Sequence, residues 1–264
     1  MTKIFAIGLL AITLAVVPQS AGPVSVAYAG SLVTTMEGPL AQALAARTGL
    51  TFQGEGKGSR ELANLIRDGL RMPDVFITAD PKLLAGLPVG SSVTFGSARM
   101  VVGYSAKSPN RALFEEAAAG KRSILNVLLA SGVRVGRTDP QLDPKGQRTL
   151  EAAHLLAAYY RKPSAEKALL AKAEVFPEQD LLVRVESGEL DAGFFYSTET
   201  SAKQLPVVEL PEQANLASKI TYTLAIMSNA RHPQAARRFA DFVLDGAGKA
   251  ILERAGLRYF PRRP

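Results

Sequence analysis

The stretch Val24-Ser25-Val26-Ala27-Tyr28-Ala29 decides the fold of this chain, because the elements around it can be placed once it is a strand. Apolar and small polar residues alternate along it, and this alternation is typical of a β-strand. A helical pattern follows, with Met36, Leu40 and Leu44 on one face. Gly49 stands where this helix should end, since glycine readily adopts the left-handed backbone found after a last helical turn. The sequence therefore predicts a strand followed by a helix.

The same order repeats immediately downstream. Leu50–Gln53 is predicted to be a strand, and Leu62, Leu65 and Ile66 predict the apolar face of a helix. Asp74–Ala79 is apolar on both faces, as strands of parallel sheets are. The resulting β-α-β-α-β order predicts an open, doubly wound sheet and an α/β fold.

The rest of the chain alternates in the same way. Further strands are predicted at Met100–Tyr104, Val133–Gly136, Asp191–Tyr196 and Ile220–Met227, with helices at Leu150–Tyr160 and Pro233–Leu244. We find no internal repeat and no low-complexity linker between independent units. The chain is therefore expected to form two lobes that it crosses between more than once.

The N-terminal residues have the pattern of an export signal. Lys3 provides a positive start, and Ile4–Val17 is an apolar stretch too short to span a bilayer comfortably but long enough for the core of a signal peptide. We expect residues 1–21 to be cleaved and the remaining protein to work in the periplasm.

Composition excludes several classes of protein. The chain has no cysteine, which rules out a disulfide framework, a thiolate metal site, a cysteine nucleophile and an acylated N-terminal cysteine. The formal net charge of +7 allows an anionic partner. However, zinc-finger spacing, an Arg-rich helix and interleaved aromatic and basic residues are all missing from the sequence, so we expect no nucleic-acid partner.

Two serines occupy equivalent places after the first two strands. Ser31 and Ser59 each follow a glycine, Gly30 and Gly58, and each precedes a helical pattern. Such a turn directs a hydroxyl and backbone N–H groups toward one point at the positive end of a helix. Together they predict a cradle for a small oxyanion. The alternative interpretation is that both serines are ordinary N-caps.

Asp143, Glu178 and Tyr196 are the candidate residues of the second lobe. Two carboxylates repel a dianion at close range, so they either bind it as protonated hydrogen-bond donors or coordinate an electrophilic centre within it. The simpler interpretations are an Asx-Pro turn for Asp143, a helix-dipole residue for Glu178 and a core ring for Tyr196.

The collinear order of these segments resembles the periplasmic tungstate- and molybdate-binding components of ABC importers. The segments are Ala29-Gly30-Ser31-Leu32, Gly58-Ser59, Pro73 to Asp80, Asp139 to Pro144, Glu178 to Leu182 and Phe195-Tyr196-Ser197. The resemblance implies a two-lobed periplasmic binding protein of type II, each lobe a doubly wound mixed sheet, with the ligand in the cleft between residues 22–98 plus 211–264 and residues 99–210.

The same resemblance implies the ligand set. It assigns Ser31, Ser59, Asp143, Glu178 and Tyr196 to the oxyanion, with Asp143 and Glu178 coordinating its tungsten or molybdenum. It also implies a monomer without a cofactor that delivers the anion to an inner-membrane permease, while a separate ATPase supplies the energy. Sulfate, phosphate, ferric ion and an organic acid remain alternative ligands.

Two of the departures from the family pattern concern the candidate site. Many relatives have Cys-Gly-Tyr-Arg after the Asp-Pro pair, whereas this chain has Lys145-Gly146-Gln147-Arg148. Ser197-Thr198 follows Tyr196 where relatives commonly have a basic residue. The first departure leaves fine specificity open, and the second is expected to weaken local charge compensation.

An enzyme is the principal rival class. The sequence lacks the Gly-x-Ser-x-Gly, His-Glu-x-x-His and Gly-x-Gly-x-x-Gly motifs. A secreted hydrolase could still use Asp143 and Glu178 as its two carboxylates. The aromatic content of 7% and the absence of tryptophan leave few surfaces for stacking a sugar. We therefore expect a binding protein and not an enzyme.

Overall fold

A computed structural model describes residues 22–121 and 123–260, so the predicted signal peptide at residues 1–21 lies outside the described residues. Elements are numbered along the chain. The strands are β1 Pro23–Ala29, β2 Thr51–Lys57, β3 Val75–Thr78, β4 Val89–Ser97, β5 Met100–Tyr104, β6 Val135–Thr138, β7 Glu174–Phe176, β8 Ala192–Tyr196, β9 Val207–Glu209, β10 Thr221–Met227 and β11 Arg258–Tyr259. The helices are α1 Val33–Thr35, α2 Ala41–Thr48, α3 Ser59–Arg67, α4 Arg111–Ala118, α5 Ile124–Leu129, α6 Pro144–Tyr159, α7 Ser164–Lys172, α8 Glu178–Ser187, α9 Ser197–Lys203, α10 Pro233–Leu244 and α11 Ala247–Arg254. Short 3₁₀ turns cover Gly30–Leu32 and Pro81–Leu84, and a π-helical segment covers Met36–Leu40.

The first sheet has six strands in the order β11-β4-β10-β3-β1-β2. Strand β1 lies parallel to both β2 and β3, as the β-α-β-α-β pattern predicts, and β10 runs antiparallel to β3 and β4. Ala29 pairs with Lys57 at the carboxyl ends of β1 and β2. Because parallel strands end at the same edge, the turns at Gly30 and Gly58 lie side by side.

The second sheet has five strands in the order β7-β6-β8-β5-β9. Strand β6 is parallel to β7 and β8, and β5 is antiparallel to β8 and β9. Thr138 at the end of β6 pairs with Phe176 at the end of β7. The segments that lead to Asp143, to Glu178 and to Tyr196 therefore leave this sheet at one edge.

The predicted α/β class with two mixed sheets is confirmed. The first sheet draws its strands from residues 23–97 and 221–259, and the second from residues 100–209. The proposed lobes, 22–98 plus 211–264 and 99–210, stay a prediction, because strand membership alone does not define where a lobe ends.

Several elements differ from the sequence-based expectation, including β2, α6 and β4. Strand β2 continues to Lys57 rather than ending at Gln53, and α6 begins at Pro144 rather than at residue 150. Proline suits the first turn of a helix, where an N–H group has no acceptor within the helix. Strand β4 was not predicted, since its sequence Val89-Gly90-Ser91-Ser92-Val93-Thr94-Phe95-Gly96-Ser97 is mostly exposed and lacks apolar alternation.

The main apolar core packs helices against both sheets. It includes fully buried aromatic rings such as Tyr28, Phe194 and Phe239. Helix α2 ends at Gly49, whose φ of 68° is left-handed, as predicted. In the two described ranges, no helix has the length and apolarity needed to cross a membrane.

Candidate functional site

The structure brings the five predicted residues together where the two sheet edges face each other. Ser31, Ser59, Asp143, Glu178 and Tyr196 are all buried, with exposed fractions of 8% or less. The serines come from the first sheet and the other three residues from the second. All five lie in turns or at the ends of strands and the starts of helices, and the start of a helix carries partial positive charge.

The two halves of this site are in close contact at two glycines, both in turns of the first sheet. A Cβ atom placed on Gly30 would lie 2.5 Å from Glu178 Cδ, and one placed on Gly58 would lie 2.7 Å from the carbonyl oxygen of Leu142. The Glu61 amide donates to the same Leu142 carbonyl at 3.2 Å. Glycine at positions 30 and 58 therefore permits the close approach of the second sheet's loops to the first.

The N-cap interpretation of the serines is wrong. Ala29 and Gly58 occupy the N-cap positions, and Ser31 and Ser59 lie one step or more inside their helical turns. Their hydroxyl groups are thus available for contacts outside their own helices.

Each serine hydroxyl has a neighbour that orients it. Ser59 Oγ accepts a hydrogen bond from the Ala79 amide at 3.2 Å, which leaves its proton available to donate. Ser31 Oγ lies 2.8 Å from the Tyr222 hydroxyl, which also lies 3.0 Å from Thr198 Oγ1. Ser31 is therefore part of a chain of hydroxyls that joins both sheets.

Asp143 combines a capping role with an unused oxygen. It is the N-cap of α6, and its Oδ1 accepts the Lys145 amide at 2.9 Å. The predicted Asx-Pro turn is thus confirmed for this oxygen. Oδ2 is buried without a hydrogen-bond partner among the described residues. Burial raises the pKa of the Asp143 carboxyl above its ordinary value, against the opposing effects of Lys145, the Thr138 hydroxyl and Arg60.

As in Asp143, one carboxylate oxygen of Glu178 has a partner and the other has none among the described residues. It is the first residue of α8, and its Oε1 lies 3.3 Å from Lys145 Nζ. Its Oε2 is buried and has no hydrogen-bond partner within the described ranges. Burial and the nearby Asp143 carboxyl raise the pKa of Glu178 to about 8. We call Asp143 Oδ2 and Glu178 Oε2 the open oxygens.

Tyr196 serves the core and the site at once. Its ring belongs to the main apolar core at the end of β8, as the simpler interpretation held. Its hydroxyl oxygen is buried without a hydrogen-bond partner in the described part of the chain. Burial and the neighbouring carboxyls of Asp143 and Glu178 raise its pKa, so the hydroxyl keeps its proton and can donate.

Two site residues were missed by the sequence reasoning. Lys145 is fully buried, and its ammonium lies 2.6 Å from Glu199 Oε1. Glu199 Oε2 in turn accepts the Tyr196 amide at 2.8 Å. The departure from Cys to Lys at position 145 was the signal that could have revealed this pair. Lys145 also offsets the expected weakening of charge compensation after Tyr196, because it brings an ammonium from α6.

The arrangement makes contradictory demands on a simple anion. Hydroxyl donors and the positive ends of α3, α6, α8 and α9 favour negative charge. The two open oxygens accept and do not donate when ionised, and they repel an anion. A ligand that satisfies both sets of groups needs anionic oxygens and, in addition, a centre that accepts electron pairs or a proton shared with the carboxyls.

Comparisons with known proteins identify the family and the fold of this chain. The chain matches the family described as bacterial extracellular solute-binding protein over residues 24–258. It is 34% identical to a protein of Haloferax volcanii provisionally named an ABC transporter molybdenum-binding protein, over 78% of this chain and 68% of that one. It is 24% identical to the molybdate/tungstate-binding protein of Pyrococcus abyssi, over 76% of this chain and 73% of that one. Its fold is similar to that of the periplasmic molybdate-binding protein of Azotobacter vinelandii, with a TM-score of 0.71, 20% identity and coverage of 91% and 100% of the two chains.

Proposed function

This chain belongs to the bacterial extracellular solute-binding protein family, and from that premise we propose that it captures tungstate or molybdate and delivers it to an ABC importer. The family is described as one of solute-binding proteins, and we infer that this chain binds its ligand for transport without transforming it. The names of the Haloferax and Pyrococcus relatives support the same class of ligand. The protein would act in the periplasm, with the anion held between its two sheets and an inner-membrane permease as its partner.

The observation that carries this proposal is the pair of open oxygens in a buried site that is otherwise built for an anion. A buried acceptor without a partner costs about 1–3 kcal/mol, and more when it is charged. Tungsten and molybdenum can expand their coordination beyond four oxygens. Asp143 Oδ2 and Glu178 Oε2 would then be ligands of the metal, while Ser31, Ser59 and Tyr196 donate hydrogen bonds to its oxo groups.

Sulfate and phosphate fit this arrangement less well. Sulfur and phosphorus in these ions accept no further carboxylate oxygens. Each ionised carboxylate at 4 Å would then repel a unit of negative charge by about 4 kcal/mol at the effective dielectric constant of a partly buried site. Coordination to the metal replaces that repulsion with a bond.

A second candidate follows from the protonation of the carboxyls. Burial raises the pKa of Glu178 to about 8, which favours the protonated carboxyl at neutral pH in the ligand-free protein. A protonated carboxyl donates a hydrogen bond and would accept sulfate or phosphate as readily as tungstate. The two candidates therefore differ in which oxyanions bind.

Isothermal titration of the ligand-stripped protein with tungstate, molybdate, sulfate and phosphate decides between them. We expect tungstate and molybdate to bind on the order of a hundredfold more tightly than sulfate, which corresponds to about 2.7 kcal/mol. The Asp143→Asn/Glu178→Gln variant is the matched control, because it keeps the size of both side chains and should reduce this preference. Sulfate binding equal to or tighter than tungstate binding would overturn the proposal.

A further inference from the structure

Lys145 stands where local physical rules do not favour a lysine. It is the second residue of α6 and is fully buried. The N-terminal end of a helix carries partial positive charge and favours anions, so a cation there is locally unfavourable. Lysine is also almost never fully buried unless it is paired. A residue that breaks two local preferences at a binding site calls for an explanation at that site.

Lys145 contacts one of the two carboxylate oxygens of Asp143 and one of the two of Glu178. Its backbone amide donates to Asp143 Oδ1 at 2.9 Å, and its ammonium lies 3.3 Å from Glu178 Oε1. The remaining oxygens, Asp143 Oδ2 and Glu178 Oε2, are the open oxygens. One residue thus engages one oxygen of each carboxylate and leaves the other available to a ligand.

The ammonium is itself held in place by Glu199. Glu199 Oε1 lies 2.6 Å from Lys145 Nζ, and Glu199 Oε2 accepts the Tyr196 amide at 2.8 Å. The ring of Phe195 lies on another side, with its centroid 5.6 Å from Nζ. These contacts join the starts of α6, α8 and α9, so the position of the ammonium is set by three elements.

We propose that Lys145 is a positioning residue that makes Asp143 and Glu178 each present a single oxygen to the metal of the bound oxyanion. This inference rests on the proposed function. Four oxo groups and one oxygen from each carboxylate give six-coordination. The ammonium also offsets part of the negative charge that the carboxylates and the anion bring together.

Substitution separates the two contacts of Lys145, because its amide remains in any variant other than proline. In Lys145→Met the amide still orients Asp143, whereas Glu178 loses its partner. Removing one member of a buried ion pair often destabilises a protein strongly. The Lys145→Met/Glu199→Gln variant is therefore also needed, since it leaves no unpaired buried charge at position 199. Glu199→Gln alone is the matched control, because the glutamine oxygen can still accept a hydrogen bond from the ammonium and so keep it near Glu178.

The test combines titration with sodium tungstate and X-ray absorption at the tungsten edge. For the wild type we expect four short oxo bonds and two longer oxygen contacts. For Lys145→Met/Glu199→Gln we expect one longer contact and at least tenfold weaker binding, which is about 1.4 kcal/mol. Glu199→Gln should keep both longer contacts.

The outcomes distinguish the failure of this inference from that of the proposed function. A wild type that does not bind tungstate, or binds it with oxo bonds alone, overturns the ligand assignment and the role of Lys145 with it. A six-coordinate wild type whose Lys145 variants keep both longer contacts overturns the positioning role alone, whether or not their affinity falls. Loss of a longer contact in Glu199→Gln equal to that in the double variant would also overturn it, since Glu199 rather than Lys145 would then be responsible.

Discussion

At the scale of single residues, the simple and the functional interpretations of an acidic residue do not exclude each other. Asp143 caps α6 with Oδ1 and keeps Oδ2 as an open oxygen. Glu178 starts α8 and faces Lys145 with one oxygen while the other is open. A carboxylate has two oxygens, so a structural contact can orient the side chain for the ligand that the second oxygen binds.

Glu178 should make the ligand-free protein less stable as the pH rises. Its pKa is about 8 in the folded protein, chiefly because of burial, against an ordinary value of 4.5. Between these values the folded state binds more protons than the unfolded state, so the free energy of unfolding falls with increasing pH. The pKa values of Asp143 and Glu199 are also raised by burial and act in the same direction. Urea denaturation at pH 5, 6, 7 and 8 measures the effect.

The Glu178→Gln variant is the control for this pH dependence. It cannot ionise at position 178, so its stability should change less across the same window. Asp74 and Asp191 do not disturb the comparison, because their pKa values are lowered and their contributions are lost only below about pH 4. A wild type that becomes more stable from pH 5 to pH 8 would contradict the prediction.

At the scale of elements, the site is an assembly of strand-to-helix turns. β1 leads to Gly30 and β2 leads to Gly58, and parallel pairing brings these turns to one edge. The second sheet contributes the starts of α6, α8 and α9 from its own edge. Each turn supplies only a part of the polar groups, and the site forms because the two sheet edges face each other.

Gly30→Ala should weaken ligand binding more than it weakens the fold. The added methyl group would overlap the Glu178 carboxyl group, whose Cδ lies 2.5 Å from the position that the new Cβ atom would take. The Glu178 carboxyl group must then move from the position in which we assign it to the ligand. We expect affinity for tungstate to fall by at least tenfold, about 1.4 kcal/mol, in isothermal titration.

Gly90→Ala provides the comparison for this substitution. Its added Cβ would lie 3.3 Å from Ser228 Cα, a tight backbone contact that is not at the candidate site. We expect its affinity to match that of the wild type even if its stability falls slightly. Equal losses of affinity in the two alanine variants would show that general destabilisation, and not the contact with Glu178, is responsible.

At the scale of the whole molecule, the described conformation has its site closed. The Tyr222 hydroxyl, which contacts Ser31 on its own side, lies within hydrogen-bond distance of Thr198 Oγ1 from the other side, and the Glu61 amide donates to the Leu142 carbonyl. These contacts connect the two sheet edges while burying two carboxyl groups with open oxygens. Without a ligand, repulsion between the buried carboxyls opposes this closure.

Tungstate binding should therefore both stabilise the protein and make it more compact. Binding to the folded state alone raises the free energy of unfolding by about 4 kcal/mol at a thousandfold excess over the dissociation constant. We expect a higher melting temperature in calorimetry and a smaller radius of gyration in small-angle scattering, as for hinge closure. The Asp143→Asn/Glu178→Gln variant should show smaller changes at the same tungstate concentration. A melting temperature that tungstate leaves unchanged in the wild type would contradict closure around this ligand.

The sequence by itself determined the features that depend on near neighbours. Alternation from Val24 to Ala29 and the helical spacing after it predicted β1 and the α/β class, and Gly49 marked the end of α2. Local signals placed Ser31, Ser59, Asp143, Glu178 and Tyr196 at strand ends and helix starts, and their role toward the ligand, which the family resemblance implies, stays a prediction. Strand β4 was not predicted, because its residues are mostly exposed and apolar and polar residues do not alternate along it.

Tertiary structure alone decided which atoms of those residues are available. Lys145 and Glu199 are 54 residues apart, and Ser31 and Tyr222 are 191 apart. No local pattern indicates such pairs, because burial and hydrogen bonding depend on which surfaces the fold brings together. Asp143 engages Oδ1 through a local contact with the Lys145 amide, whereas the pairing of Glu178 Oε1 with the buried Lys145 ammonium joins separate helices and follows from packing rather than from spacing along the chain.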